Sequence, residues 1–312
     1  MTSSQETRRL IIVAGPTASG KSSLAIDLAE NLNGLIVNAD SMQVYRELKI
    51  VTSRPSPKDE AKVPHKLYGS LSAKEKCSAG LWRNMAIREI EAAWKCDKLP
   101  ILVGGTGLYI KVLTEGISEV PPVSGDYRRE AQSLYNRLGA KKFHAELRRV
   151  DTISADRISQ SDSQRLTRAY EVYLSSKIPF SEWQNSSQYS LPIKSSIRTI
   201  CLLPPRDKLY QVCNNRFETM LEMGAIDEVS NLMNMELDAS LPATKAVGVK
   251  ELSAYLRGEI TLLEASDAAK QATRNYAKRQ MTWFRNQLEK PELVNAQYSE
   301  RIFDQIFSKI RF

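Results

Sequence analysis

The chain has 312 residues, enough to bury a sizeable core and, by length, to form two domains or one domain with an insertion. Hydrophobic residues at 42% and charged residues at 26% are those of an ordinary globular protein, while a formal charge of +8 favours a polyanionic partner without selecting one. Cys77, Cys96, Cys201 and Cys213 form no C-x-x-C pair, and with only His65 and His144 no zinc ligand set can be drawn at normal spacing. Free thiols in a reducing cytosol are therefore expected. The polar start over 1–9 leads into an apolar run too short for a signal peptide, and nothing approaches the roughly 18–20 apolar residues of a membrane span. A cytoplasmic protein is expected.

The first apolar run, Leu10-Ile11-Ile12-Val13-Ala14, reads as a buried parallel strand. It feeds Gly15-Pro16-Thr17-Ala18-Ser19-Gly20-Lys21-Ser22, and a helix then continues through Leu24, Ala25, Leu28 and Ala29. This is the phosphate-binding pattern G-x-x-x-x-G-K-[ST] in its strand–loop–helix setting. Backbone amides and the helix N-terminus make an anion site, Lys21 adds a point charge, and the Ser22 hydroxyl can reach a Mg²⁺ ion. A second strand, 34–40, ends on Asp40, and ligands of doubly wound sheets sit outside the carboxyl ends of strands. Asp40 is thus expected to face the same crevice, although it can equally cap the segment after it. Ser41, Met42 and Gln43 follow with side chains able to hydrogen-bond or stack.

Residues 52–66, with Pro55, Pro57 and Pro64, read as a surface loop, and His65 there is more simply structural than catalytic. Ser78 to Trp94 reads as an amphipathic helix with Leu81, Met85, Ile87, Ile90 and Trp94 apolar. A third strand–glycine turn–helix unit spans 99–110, with Thr106 as the donor among Gly104, Gly105 and Gly107. Prolines 121 and 122 mark a boundary, after which 126–186 is helical and basic, placing Gln164, Arg165 and Arg168 within about one turn. That face is either solvated or a patch for phosphates and bases. A strand returns at 196–203, and 206–235 reads as a helix interrupted at Gly224 and carrying Arg216. In the last long helix Lys270, Arg274 and Lys278 recur every four residues with Tyr276, Trp283 and Phe284 interleaved, which fits a nucleic-acid surface or core contacts.

The expected fold is α/β, a P-loop NTPase-like parallel sheet flanked by helices with an all-helical insertion domain. Its parts are 1–120 as the first part of the core, 121–195 as the insertion, and 196–312 as the return to the core with C-terminal helices.

Taken together, the phosphate loop, Asp-Ser-Met-Gln-Val-Tyr-Arg at 40–46, Gly-Gly-Thr-Gly-Leu-Tyr-Ile at 104–110, and 162–172 resemble the tRNA dimethylallyltransferases. Arg216-Phe217, 246–252 and 276–285 extend the resemblance, which runs from about residue 9 to 287. It implies transfer of a dimethylallyl group from its diphosphate to the exocyclic N6 amine of the adenine 3′ of the anticodon. The loop, Gly15 to Ser22, would then hold the donor diphosphate, with Mg²⁺ at Ser22. Asp40 would relieve the attacking amine of its proton. Loop amides, Lys21, Mg²⁺ and Arg216 would stabilise the departing diphosphate, with Thr106 touching donor or target nucleotide. Gln43 can pair bidentately with an adenine edge. Ser41, Met42, Arg128, Gln164, Arg165, Leu166, Thr167, Arg168, Ala246, Val247, Gly248, Val249 and Lys250 match positions where the family contacts tRNA, and the insertion would grip the anticodon stem-loop. The chain departs from the family pattern at Val51-Thr52-Ser53-Arg54 and at Lys66, where Arg54 and Lys66 keep positive charge near the site. A monomer is expected. The main rivals are a small-molecule kinase on the same scaffold and a prenyltransferase acting on free adenine nucleotide.

Overall fold

The computed structural model describes residues 8–118, 120–185, 189–190 and 192–310, with side chains left out at 189–190. The readings for 1–7 and 186 lie outside them. In chain order the elements are β1 (Arg9–Ala14), α1 (Lys21–Asn31), β2 (Gly34–Asn38), α2 (Pro57–Lys62), β3 (His65–Lys66), α3 (Ala79–Lys95), β4 (Leu99–Gly104) and α4 (Gly107–Thr114). They continue as β5 (Ile117–Ser118), α5 (Gly125–Val150), α6 (Thr152–Arg157), α7 (Ser163–Ser176), α8 (Phe180–Asn185), β6 (Tyr189–Ser190) and β7 (Ser196–Leu202). The chain closes with α9 (Arg206–Glu222), α10 (Ala225–Met233), α11 (Val249–Leu256), α12 (Leu262–Gln287), β8 (Glu292–Val294) and α13 (Phe303–Phe307).

By its internal contacts the chain divides into two compact units, Met1–Thr114 with Ile193–Phe312, and Glu115–Pro192. The first is built on a parallel sheet whose order among the described residues is β3-β2-β4-β1-β7-β8. Central β1, read from an unbroken apolar run, is buried from Leu10 to Ala14, as a strand covered on both faces must be. Its register sets Ala14 beside Gly104 of β4 and Cys201 of β7, so the turns after β1 and β4 leave the sheet at the same level. α1 packs Leu24, Ala25 and Leu28 onto this sheet together with Ile306 and Ile310 from the chain's end.

Three local readings are corrected. The loop expected over 52–66 contains α2, because Ser56 and Asp59 form a reciprocal capping box with Pro57 at the first helical position. The buried arc of α3 is Trp82, Ala86, Ile90 and Ala93; of the apolar positions expected, Ile90 is buried, Met85, Ile87 and Trp94 are half-buried and Leu81 is exposed. Trp82 sets the arc: its ring stacks on Tyr109 at 4.3 Å and its indole nitrogen donates to Asn38 O at 2.9 Å. β8 had no counterpart in the sequence reading, since three residues after Pro291 carry no periodic signal and the strand exists by pairing with β7.

The second unit is helical, with one short antiparallel pair, β5 with β6. Its core gathers Ala131, Phe143, Leu147, Ala155, Leu166, Ala169 and Tyr170. Buried Asp151 ties α6 and α8 together, accepting from the backbone and hydroxyl of both Ser154 and Ser181 at 2.6–2.9 Å. Burial works to raise its pKa, but these four bonds to the ionised form outweigh that and hold the carboxyl below its ordinary value.

Candidate active site

The phosphate loop is a tight turn between β1 and α1. Gly20 sits at φ 86°, and a Cβ there would lie 2.8 Å from Tyr298 Cβ, so both backbone conformation and space require glycine. The other face of the loop is fastened from the chain's end: Tyr298 N donates to Ser19 O at 3.2 Å and Gln297 Nε2 to Ala18 O at 2.8 Å. Lys21 Nζ reaches Pro16 O at 3.4 Å. Burial lowers the Lys21 pKa to about 8, with Arg216 adding repulsion and Asp40 opposing both. An ammonium held under those conditions gains by meeting an anion. Ser22 is exposed at the first turn of α1.

Asp40 lies just past β2. Its Oδ1 accepts from Met42 N at 2.9 Å and Gln43 N at 3.4 Å, so it does cap the following segment, which is a turn rather than a helix. Capping uses one carboxylate oxygen, and Asp40 lines the cleft as well. Thr106 follows the β4 turn: its Oγ1 accepts from Ser41 N at 2.9 Å and donates to Ser41 Oγ at 3.3 Å. Tyr276 of α12 is within hydrogen-bond reach of Thr106, and burial followed by the charge of Asp40 pushes its phenol pKa up. Arg216 of α9 donates through Nη2 to Thr17 Oγ1.

These groups surround a cleft of ≈ 240 Å³. Its polar lining includes Thr17, Asp40, Arg216, Tyr276, Lys245 and Arg279, while Met42, Val51, Phe217, Met220 and Val247 are among its apolar residues. Burial lowers the Arg216 pKa, with Asp40 acting against that shift. The cleft therefore sets Thr17 of the phosphate loop and the cations Arg216, Lys245 and Arg279 beside a carboxylate and an apolar surface. Among the described residues no group of three or more acids, histidines and cysteines could hold a metal.

Of the sequence-selected residues, Thr17, Asp40, Ser41, Met42, Arg216, Ala246 and Val247 line the cleft. Gly248 is the αL residue opening α11, Val249 is buried, and Lys250 is exposed. Gln43 departs from its expected role, because Nε2 donates to Thr52 O at 2.7 Å and Ser53 O at 3.1 Å. A bidentate pairing with adenine needs that same amide as donor. In the helical unit Leu166 is wholly buried and packs in the core, so it presents no side chain to a ligand. Thr167 turns its hydroxyl back to Ser163 O at 2.8 Å. Gln164 and Arg165 are exposed, and Glu171 draws in Arg168 at 2.6 Å and Arg128 at 3.8 Å.

Arg54 and Lys66 do not place charge in the cleft. The Arg54 guanidinium donates to Arg46 O at 3.3 Å and fills the space over Gly69, while Lys66 faces Glu89 at 3.8 Å. His65 is structural, its Nδ1 lying 2.8 Å from Val63 O. On α12, Lys270 pairs with Glu218 at 2.8 Å and Arg274 donates to Asn214 at 2.6 Å, so these bases bind α9 rather than forming an open stripe. Phe284 is buried and Trp283 covers Gly107, which makes both core contacts.

Sequence reading missed Gln280. Its Oε1 accepts from Thr17 N at 2.8 Å and its Nε2 donates to Gly105 O at 2.9 Å. One buried amide thus joins the phosphate loop to the Thr106 turn, and a Cβ on Gly105 would collide with it at 2.2 Å. A glutamine in a run of bases reads as surface, and only two backbone partners distant in sequence reveal it.

The model of the IPP transferase family matches residues 43–287, and that of isopentenyl transferase matches 8–69. The tRNA dimethylallyltransferase of Rhodospirillum centenum is 48% identical over 282 residues, covering 90% of each chain. Among solved structures, the full-length tRNA isopentenylpyrophosphate transferase of Bacillus halodurans superposes with a TM-score of 0.69 at 31% identity, over 97% of this chain and 95% of that one. A eukaryotic dimethylallyltransferase acting on tRNA gives 0.81 at 25% identity, over 98% and 81%.

Proposed function

The chain belongs to the IPP transferase family, and from that premise we propose that it moves a dimethylallyl group from dimethylallyl diphosphate to the N6 amine of the adenine 3′ of the anticodon in tRNA, releasing diphosphate. The observation that supports this most is the single cleft in which Asp40 stands with Arg216, Thr17 of the phosphate loop and an apolar lining. A prenyl diphosphate has an anionic head and an apolar tail, and that lining offers a partner to each.

The bond between N6 and the first prenyl carbon forms as the carbon–oxygen bond to diphosphate breaks, and the electron pair leaves with the diphosphate. Lys21, Arg216 and the loop amides hold the charge that builds there. The lost N6 proton passes to Asp40, whose other carboxylate oxygen stays anchored by the 42–43 amides. Thr106 acts through Ser41 of the cleft lining, whose backbone amide it holds. Ser22 is the residue that would hold Mg²⁺, with the diphosphate and water completing an all-oxygen shell; the ion would neutralise charge on the leaving group. The target base leaves its stack at a cost of about a few kcal/mol, offset by contacts to the RNA backbone. In the helical unit Arg128, Gln164, Arg165 and Arg168 supply such contacts, which gives the 121–195 segment its role. The named groups all come from one chain, so a monomer suffices. A tRNA substrate sets the work in the cytoplasm, and no helix among the described residues is long and apolar enough to cross a membrane.

The test is transfer of labelled dimethylallyl diphosphate, with Mg²⁺, into unmodified tRNA carrying adenine 3′ of its anticodon. Parallel samples hold the same tRNA with guanine there, free adenine nucleotide, and ATP with no prenyl donor. Label confined to the adenine tRNA supports the reading. Label in the free nucleotide overturns the acceptor, and phosphoryl transfer from ATP without prenyl transfer overturns the reaction class.

A further inference from the structure

The cleft wall formed by Val51 and Thr52 belongs to a short turn held from outside the reaction site. Three successive backbone amides of that turn point at one carboxylate: Lys49 N and Ile50 N donate to Glu228 Oε2 at 2.8 and 2.7 Å, and Val51 N donates to Glu228 Oε1 at 2.9 Å. Consecutive amides arranged this way form a concave anion seat, and here a side chain of α10 fills it. The turn closes on itself through Ser53 N to Ile50 O at 2.9 Å and Arg54 N to Lys49 O at 3.0 Å. Gln43 clasps its far side by donating to Thr52 O and Ser53 O, and Thr52 Oγ1 donates to Leu48 O at 2.6 Å. Glu228 therefore anchors a chain of contacts that runs through the 49–53 turn to Gln43, whose backbone amide donates to Asp40 Oδ1 at 3.4 Å. Glu228 is absent from the cleft lining, and nothing in the reaction requires its charge.

Resting on the prenyl-transfer reading, we infer that Glu228 is a positioning residue that fixes the Val51 wall and so sets the length of prenyl chain the cleft accepts. Charge-assisted bonds to three amides hold a wall more firmly than apolar packing of a five-residue turn. With the carboxylate removed, Val51 is free to withdraw and the apolar lining enlarges. A five-carbon chain then loses contact while a ten-carbon chain gains room. Discrimination in an apolar pocket depends on such fit, at about 10–200-fold per methylene-sized mismatch.

The experiment measures kcat and KM for dimethylallyl and geranyl diphosphate with saturating adenine tRNA, in wild type, Glu228→Ala, Glu228→Gln and Glu228→Asp. The expected result for Glu228→Ala is a KM for dimethylallyl diphosphate raised about 10-fold with a smaller change in kcat, and a preference for the shorter donor reduced by about 10-fold or more. Glu228→Gln, which keeps the shape and one acceptor, falls between, and Glu228→Asp recovers part of the preference. A purely structural role would lower the melting temperature and leave the donor ratio unmoved, and that result overturns the proposal. Should the alanine variant fail to fold, the isosteric glutamine variant decides, together with amide exchange of wild type. Protection at Lys49, Ile50 and Val51 is expected, and free exchange there contradicts the clasp. Failure of wild type to use either donor would instead sink the prenyl-transfer reading itself.

Discussion

The two compact units solve different problems with the same residue types. In the α/β unit, charged and polar groups in and beside the cleft are each held by a specific partner. Asp40 is pinned by two amides, Thr106 by Ser41, Arg216 by Thr17, and the two turns are joined by Gln280. In the helical unit, the basic residues sit on helix faces: Arg165 is 77% exposed beside Asp162, while Arg168, 38% exposed, is paired with buried Glu171. Preorganised groups in a shielded cleft act at full strength on a transition state. Exposed bases interact weakly one at a time and are screened by salt, which suits holding a long polyanion in register. On the proposed reading, the first arrangement serves chemistry and the second grip.

Substitutions should divide along that line. Asp40→Asn keeps an acceptor for the 42–43 amides but removes the proton acceptor, so the transfer rate in a single turnover should fall by about 10²–10⁴-fold with tRNA affinity nearly intact. Gln280→Ala leaves Thr17 N and Gly105 O without their shared partner, at a cost of about 1–3 kcal/mol for each buried group. Chemical denaturation should show that loss, and donor affinity should drop by about an order of magnitude, since the phosphate loop is no longer tied to the Thr106 turn. Arg165→Ala in the helical unit should weaken tRNA binding a few-fold and reduce the salt slope of log affinity by about 1, as expected for one lost phosphate contact. Equal effects of Arg165→Ala and Asp40→Asn on the chemical step would erase the distinction.

The smallest effect is a pH dependence. Folding lowers the Lys21 pKa from 10.5 to about 8, so between those values the unfolded chain binds the extra proton. Stability of the free protein should therefore rise with pH across that window, the cost of enclosing the ammonium being fully present below about 8 and relieved above 10.5. Diphosphate binding runs the other way. Below about pH 8 the ammonium is already present, whereas above it binding must take up a proton and weakens. Titration calorimetry at pH 7 and pH 9, in buffers of different ionisation heat, should show proton uptake only at the higher pH.

Much of the α/β unit was legible because its functional turns are local. Strand, glycine turn and helix lie within about a dozen residues of one another, so Gly15 to Ser22 and Gly104 to Gly107 announce both their fold and their placement. Long-range pairing was not legible. β8 depends on a partner strand some ninety residues away, and Glu292, Leu293 and Val294 alone carry no alternation that requires it. Gln280 and Glu228 are polar residues on amphipathic helices, and their importance lies in backbone groups that tertiary folding brings to them. Gln43 and Arg54 were misread for the converse reason. Their chemistry suits a base edge or a phosphate, yet nearby carbonyls claim both. The basic run of α12 split for the same cause, with Lys270 and Arg274 committed to α9 and Tyr276 turned toward the cleft.

One measurement separates chemistry from grip most directly: the single-turnover rate of dimethylallyl transfer at saturating tRNA, for wild type, Asp40→Asn and the double variant Arg165→Ala with Arg168→Ala. The expected result is a double variant that needs more tRNA to saturate but then reaches the wild-type rate, while Asp40→Asn stays about 10²-fold or more below it at any tRNA concentration. A double variant that remains as slow as Asp40→Asn when saturated, or an Asp40→Asn enzyme that recovers with added tRNA, would contradict the assignment of chemistry to the α/β cleft.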